Sequence, residues 1–187
     1  MARPRTFDVD DAIARAMEVF WINGYEDASL PELLDGMKLT RGSLYKAFKD
    51  KKTLFLKVLD RYDAEAVNNA VALLSDTQIS DGWDRIDLLF DSIAQDVSRG
   101  DSRGCLLCSA AAGPASYDPE IAAAVNLSLD RMQAAFDTAL AATESPPRLG
   151  VVLVTQYVGL RILSRSELSA HLVETSVEQL RQLRNLG

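Results

Sequence analysis

The sequence predicts an all-α protein of about nine helices, a three-helix N-terminal unit followed by a larger helical body. Three observations carry that prediction. Apolar residues recur at three- and four-residue spacing along nearly the whole chain, and no useful stretch alternates with period two. Asp, Ser and Thr stand where helices should begin, and Gly and Pro where they should break. The lysines are not dispersed: all six of the 187 residues' lysines lie between Lys38 and Lys57.

Taken in order, Met1 to Thr6 is a short basic arm with Arg3 and Arg5 flanking Pro4. Such an arm either lies along a polyanion or frays. Asp8 caps the first long helix, whose buried stripe is Ala12, Ile13, Ala16, Met17, Val19, Phe20 and Trp21, and Gly24 is expected to end it. Ser29 with Glu32 three residues on makes a capping box, and Pro31 sits in the first turn, where a missing N–H costs nothing. Leu30, Leu33, Leu34 and Met37 give this second helix one apolar face. Lys38-Leu39 makes a turn, and Thr40 caps a third helix that points Leu44, Ala47 and Phe48 inward. Asp50 caps a long helix from Lys51 to about Ser75, with Leu54, Phe55, Val58, Leu59, Tyr62, Ala66 and Val71 on its apolar side.

Charge decides what the outer face of the third helix is for. Between Lys38 and Lys57 seven Lys/Arg meet one acid, Asp50, although the whole chain carries −7. A short cationic helix on an otherwise acidic protein is the footprint of a nucleic-acid reader. Two helices joined by a tight turn, the second presenting small polar and basic groups, form a helix-turn-helix suited to a major groove. The expected DNA-binding residues are Ser29, Thr40, Arg41, Gly42, Ser43, Tyr45, Lys46 and Lys51, with Lys51 and Lys52 both facing DNA. A recognition pair at about 29–48 then lies in a DNA-binding domain of residues 1–52, and residues 53–187 form the effector-binding and dimerisation domain. Those residues are acidic on balance, which should help to aim the basic head at DNA.

These residues also carry a resemblance. Phe20-Trp21-Ile22-Asn23-Gly24-Tyr25, Ser29-Leu30, Thr40 to Phe48 (TRGSLYKAF), Asp50-Lys51 and Leu54-Phe55 together resemble the N-terminal domain of tetracycline-repressor (TetR) family regulators. The likeness covers about residues 5 to 60. It implies an all-helical homodimer that binds double-stranded operator DNA and is released by a small-molecule inducer bound in a divergent C-terminal part. Glycine is common in that family where this chain has Lys38 and Lys49, so Lys38 is expected to take a positive φ.

The body reads as Trp83 to Val97, a short helix from Cys105 to Ala112 ended by Gly113-Pro114, and a long helix opened by Asp118-Pro119-Glu120 and running to about Ala142. Two helices complete it, about Pro147 to Ser164 and Ser166 to Leu186. A pocket for a hydrophobic or aromatic inducer is expected among Tyr62, Phe90, Ile93, Cys108, Tyr117, Met132, Phe136 and Tyr157, side chains that would otherwise simply fill the core. Large and small residues alternate on the last two helices. Val152, Gln156, Gly159, Leu163, Val173, Val177 and Leu180 are therefore expected at a dimer interface, as the resemblance implies, with an intramolecular core as the alternative.

Other function classes find little support. His171 is the single histidine, phosphate-binding Gly-rich motifs are absent, and two cysteines with one remote histidine make no zinc site. No enzyme activity, metal or cofactor is expected. A non-DNA-binding helical protein is the runner-up class, separable by retention on duplex DNA. No apolar run approaches the ~18–20 residues of a membrane span, the N-terminus lacks the apolar core of a secretory signal, and a reduced cytoplasm is expected. Cys105 and Cys108 share a helix face, with Arg103 and the helix start both lowering a thiol pKa. They read either as a redox or electrophile sensor or as small packed residues.

Overall fold

The computed structural model of the chain describes residues 7–166 and 170–184; the Arg3/Arg5 arm and the expected helix end at Leu186 fall outside them. Every regular element among the described residues is helical. The head comprises α1 (Val9–Asp27), α2 (Leu30–Met37) and α3 (Arg41–Phe48), and α4 (Lys51–Tyr62) packs along α1 to close it. Phe20, Leu33, Leu44, Phe48, Leu54 and Phe55 form its centre, each at most 1% exposed. Phe20 meets Phe55 edge-on, with ring centroids 4.8 Å apart. A boundary at residue 52 therefore passes just inside a helix that the head's core uses.

Gly24 does not end α1. It adopts φ 78°, ψ 175°, kinks the helix, and helical structure resumes to Asp27. A side chain is strained at that φ, so glycine allows the kink where another residue would resist it. Similarly, the expected helix from Lys51 to Ser75 is one rod with an insertion. α4 runs into a π turn at Asp63–Val67 and then into α5 (Asn68–Leu74). From α8 (Pro119–Leu140), Ser128 donates to Asp63 at 2.6 Å and Arg131 pairs with the same carboxylate, so the π turn is tied to the body.

α8 is the body's central strut, against which α5, α6 (Gly82–Ser98), α7 (Leu106–Ala112) and α9 (Leu149–Leu163) all pack. A 3₁₀ turn, Pro114–Tyr117, links α7 to α8, and α10 (Ala170–Leu183) lies on α6. Phe90 of α6 stacks on Phe136 of α8 at 6.0 Å. At Gly82 a Cβ would stand 1.7 Å from the Ala139 carbonyl oxygen, so this crossing of α6 and α8 admits no side chain. α9 begins at Leu149 rather than Pro147, behind Arg148 in the left-handed region at φ 64°. Counting the α4–α5 rod as one, nine helices are described.

Candidate nucleic-acid interface

The recognition pair is built by its caps. Ser29 Oγ accepts from the Glu32 N–H at 3.4 Å, and the Glu32 carboxylate accepts from the Ser29 N–H at 2.8 Å and hydroxyl at 2.6 Å. Those bonds to Ser29 hold the Glu32 carboxyl below the usual carboxylate range. Ser29 was expected at the DNA; its hydroxyl is engaged in starting α2. Lys38 ends α2 at φ 55°, ψ 41°, its N–H reaching back to the Asp35 and Leu34 carbonyls. Thr40 caps α3: its Oγ1 accepts from the Ser43 N–H at 3.3 Å and shares a 3.0 Å bond with the Ser43 hydroxyl.

α3 is thereby fixed with Leu44 and Phe48 buried and Arg41, Gly42, Tyr45 and Lys46 exposed. Arg41 and Tyr45 are four residues apart, as are Gly42 and Lys46, so each pair stacks on one helix face. No atom lies within 4 Å of where a Cβ of Gly42 would sit, so the first turn of α3 leaves its backbone open to close approach. Among the described residues Arg41, Lys46, Lys49 and Lys57 have no ion-pair partner.

Lys51 and Lys52, both expected to face DNA, are different, because each is engaged within the chain itself. Lys51 Nζ donates to the Glu26 carbonyl at 3.1 Å and lies 4.9 Å over the Tyr25 ring; burial lowers its pKa. It caps the end of α1. Lys52 pairs with Glu120 at 3.1 Å and Asp118 at 3.3 Å, joining the head to the start of α8, and those acids raise its pKa. The sequence showed the charge of both lysines but not their acceptors, which are far away in the chain.

Residues 12–58 match the family described as bacterial regulatory proteins, tetR family. Over 60 residues, 32% of this chain, the sequence is 45% identical to the HTH-type transcriptional repressor ComR of Escherichia coli K12, covering 29% of that protein. It is 32% identical over 119 residues, 63% of the chain, to the HTH-type transcriptional repressor BdcR of the same organism, covering 58% of it. These alignments span less than two thirds of each relative. Along the full fold, the structure superposes with a TM-score of 0.81 and 28% identity on a cysteine mutant of the TetR family transcriptional regulator CifR in complex with a 26-bp operator DNA, covering 96% of this chain and 98% of that one. The chain is thus similar to TetR-family regulators in the sequence of its head and in its whole fold. The reduced form of E. coli NemR shares the fold alone, with a TM-score of 0.76, 21% identity and coverage of 91% and 94%.

Relative to TetR-family expectations, the effector residues are redistributed. Phe90, Ile93, Met132 and Phe136 are solid core, none more than 2% exposed, and Tyr117 stands 87% exposed on the surface. None of these five lines any of the described cavities. Tyr62, Tyr157 and Cys108 do converge, around Cys105. In front of that group lies a cavity of about 270 Å³ walled by Trp21, Tyr62, Ala66, Asp96, Arg103, Gly104 and Arg161. It stands at the seam between head and body. Trp21 Nε1–H donates to the Gly104 carbonyl at 3.2 Å, and the Arg103 guanidinium lies 4.4 Å over the Trp21 ring. Arg165 donates to the carbonyls of Trp21 at 3.0 Å and Arg103 at 2.8 Å. Arg161, Arg165 and Trp21 were missed as seam residues. Their signal, arginines close to a tyrosine and a cysteine on separate helices, exists only after folding.

The expected dimer residues divide by helix. On α9, Val152 and Leu163 are exposed, Gln156 is half-buried, and the space around Gly159 is open. On α10, Val173, Val177 and Leu180 are buried within the chain itself, whose α10 packs on α6. That part of the expectation is corrected: the periodicity marked an apolar face but not which neighbour covers it.

Both thiols are free and buried, Cys105 at the N-cap of α7 and Cys108 in its first turn. The hydrogen bond from Cys108 pulls the Cys105 thiol down to about 6, against burial, with Tyr62 adding a second bond. The same pair and its burial push Cys108 up.

Proposed function

We propose that this chain is a sequence-specific DNA-binding transcriptional regulator, a repressor that a small-molecule inducer releases from its operator. In this reading it is not an enzyme and works as a cytoplasmic homodimer; no described helix is long and apolar enough to cross a membrane. The observation that carries the reading is the outer face of α3, where Arg41 and Lys46 stand exposed and unpaired opposite the buried Leu44 and Phe48. Unpaired cations released from intramolecular duty are available to phosphates and base edges. The operator complex of CifR supports the same use of the head.

Arg41, Ser43 and Tyr45 then approach base edges or adjacent phosphates, while Thr40, Gly42 and Lys46 lie along the backbone of the duplex. Ser29 and Lys51 support the head from behind. Two copies meet through the outer face of α9, at Val152, Gln156, Gly159 and Leu163, extended by the exposed Leu172 of α10. The inducer acts at the seam cavity, because Trp21 belongs to the head and Arg161 to the body. A ligand shifts the equilibrium only by preferring one head placement over another.

The experiment is titration of the protein's own promoter DNA, followed by fluorescence anisotropy against unrelated duplex. Retention of the promoter at salt where unrelated DNA dissociates is expected, and loss of that preference in an Arg41→Ala, Tyr45→Ala double variant. Equal binding of both duplexes by the unaltered protein, or full affinity in the double variant, overturns the reading.

A further inference from the structure

A dimer that reads two half-sites needs more than a basic helix. Its two copies of α3 must stand at one separation, so each head must be held at one angle to the dimer face. The link between that face and the head is Arg165. It follows the end of α9, two positions beyond Leu163 of the proposed dimer face. One terminal nitrogen donates to the Trp21 carbonyl at 3.0 Å and to the Arg103 carbonyl at 2.8 Å. The other donates to the Ile22 carbonyl at 3.1 Å. Trp21 and Ile22 stand in α1 just before Gly24 kinks it. A single half-buried guanidinium thus joins the end of α9, the straight part of α1 and the loop that precedes α7.

The surroundings are shaped to hold it. Gly104 has φ 65°, and a Cβ there would stand 2.8 Å from the Arg165 Cγ and 2.5 Å from the Arg161 carbonyl oxygen. Glycine lets the loop close over the arginine stem. The neighbouring Arg103 is pinned by Asp101 at 2.9 Å and by Glu18 of α1 at 3.4 Å, with the Trp21 ring beneath it. Its carbonyl is therefore a fixed target. Carbonyls toward the end of a helical run carry partial negative charge, which a guanidinium meets well. Its planar fork also fixes direction, where an ammonium acts as a point charge.

We propose that Arg165 is the positioning residue that sets the separation of the two recognition helices, and so selects the half-site spacing the dimer reads. The proposal rests on the reading of a DNA-binding dimer joined through α9, and adds what fixes the angle of each head. The path is short. Leu163 meets the partner copy, Arg165 reaches α1, and Phe20 of α1 shares the head's core with Leu44 and Phe48 of α3. The other ion pair between head and body, Lys52 with Asp118 and Glu120, ties α4 to α8, neither of which carries the proposed dimer face. The hydrogen bonds of Arg165 lie within the chain, so it acts on DNA through the head.

The test uses the full-length protein and its own promoter, with the operator located by footprinting. Duplexes carry the native spacing, or one base pair more or fewer between half-sites. One base pair moves a half-site by about 3.4 Å and turns it by about 35°. In anisotropy titrations the unaltered protein should lose about tenfold in affinity on either altered duplex, because the DNA must be deformed to fit. Arg165→Met keeps the stem and drops the fork, and should bind all three duplexes within about twofold of one another. A nitroxide on Asp35→Cys reads the same property without DNA, since Cys105 and Cys108 are buried and stay unlabelled. The distance between the two labels of the dimer should be narrowly distributed with Arg165 present and broad in Arg165→Met. Arg165→Lys keeps the charge without the fork, should behave as the Met variant does, and stands in for it if that variant does not fold. A variant dimer that keeps either the spacing discrimination or the narrow distribution, with only a lower thermal midpoint, makes Arg165 a packing residue and overturns the proposal. So does an unaltered protein that prefers its promoter yet is indifferent to spacing. A monomer in solution overturns the dimer reading and the proposal together. If the dimer fails to prefer its promoter, the DNA-binding reading falls, and the label distances alone decide whether Arg165 orients the heads.

Discussion

Head and body treat their basic side chains in opposite ways. On the head, Arg41, Lys46, Lys49 and Lys57 have no ion-pair partner, while four of the body's arginines are tied to acids. Arg131 holds Asp63, Arg161 holds Asp96, Arg181 holds Asp91 and Arg184 holds Asp84. Exposed ion pairs contribute little individually, about 0–1 kcal/mol, so the body's pairs orient helices more than they stabilise them. The lesson is that net charge is a poor guide to a binding surface. What matters is which charges the fold leaves unpaired, and in a chain of −7 four such cations gather on α3 and the residues after it, while the body's exposed Arg99 and Arg148 lie far apart in sequence.

The strongest way to break this comparison is to ask whether the body is solid where an inducer pocket was expected. Phe136 is fully buried against Phe90. Phe136→Ala should cost about 3–5 kcal/mol of unfolding free energy in urea titrations, with a cavity left behind. A loss below about 1 kcal/mol together with altered induction would show a pre-existing pocket there.

Next in size is Arg41→Ala. If Arg41 reads a guanine, operator binding should weaken by about 1–3 kcal/mol and preference relax at one base pair. Arg41 is exposed and unpaired, so the thermal midpoint should barely move. A large fall in that midpoint would mean that Arg41 has a structural role like the body's arginines.

Salt dependence sharpens the contrast further. Each phosphate contact contributes about 0.9 to the slope of log K against log salt. Lys46→Ala should therefore flatten the slope by about one unit, while Arg184→Ala, whose guanidinium pairs with Asp84, should leave it unchanged. Lys52→Ala belongs with the second variant despite lying in the lysine-rich stretch, because Glu120 and Asp118 already hold it.

Much of the head was legible because its determinants are local. The Ser29–Glu32 capping box, the Thr40 and Asp50 caps and the inward Leu44 and Phe48 each need only a few neighbouring residues. The positive φ expected at Lys38 is present. The errors arose where a distant partner decides. Lys51 turns to a carbonyl 25 residues away, Val173 and Val177 are covered by α6, and Gly24 kinks a helix that resumes because the chain behind it still packs. The seam cavity was illegible for the same reason: Trp21, Tyr62, Arg103 and Arg161 come from four separate segments. Periodicity names a buried face, but only tertiary packing says whether that face meets a core, a partner copy or a cavity.

The smallest effect concerns two lysines in backbone conformations that favour glycine. Lys49 has φ 66°, ψ −56°, and the Asp50 N–H closes onto the Phe48 carbonyl at 2.7 Å, making Lys49 the centre of a γ-turn of the rare, strained kind. Lys38 is in the milder left-handed helical region, with only an exposed 3.5 Å contact to Asp35 to lose. Glycine relieves the strain of about 1–3 kcal/mol that such conformations impose on other residues, and gives back about 0.5–1 through its freer unfolded chain. Lys49→Gly should therefore stabilise the protein by about 1 kcal/mol and Lys38→Gly by about half as much. Both are measurable as small upward shifts in thermal midpoint. The comparison predicts that the gains come with unequal losses. Lys49 is one of the unpaired cations beside α3, so its replacement should also flatten the salt slope, whereas Lys38 is partly neutralised by Asp35 and should flatten it less. Equal slopes for both variants would remove Lys49 from the DNA-facing set and leave its strain without a functional counterpart.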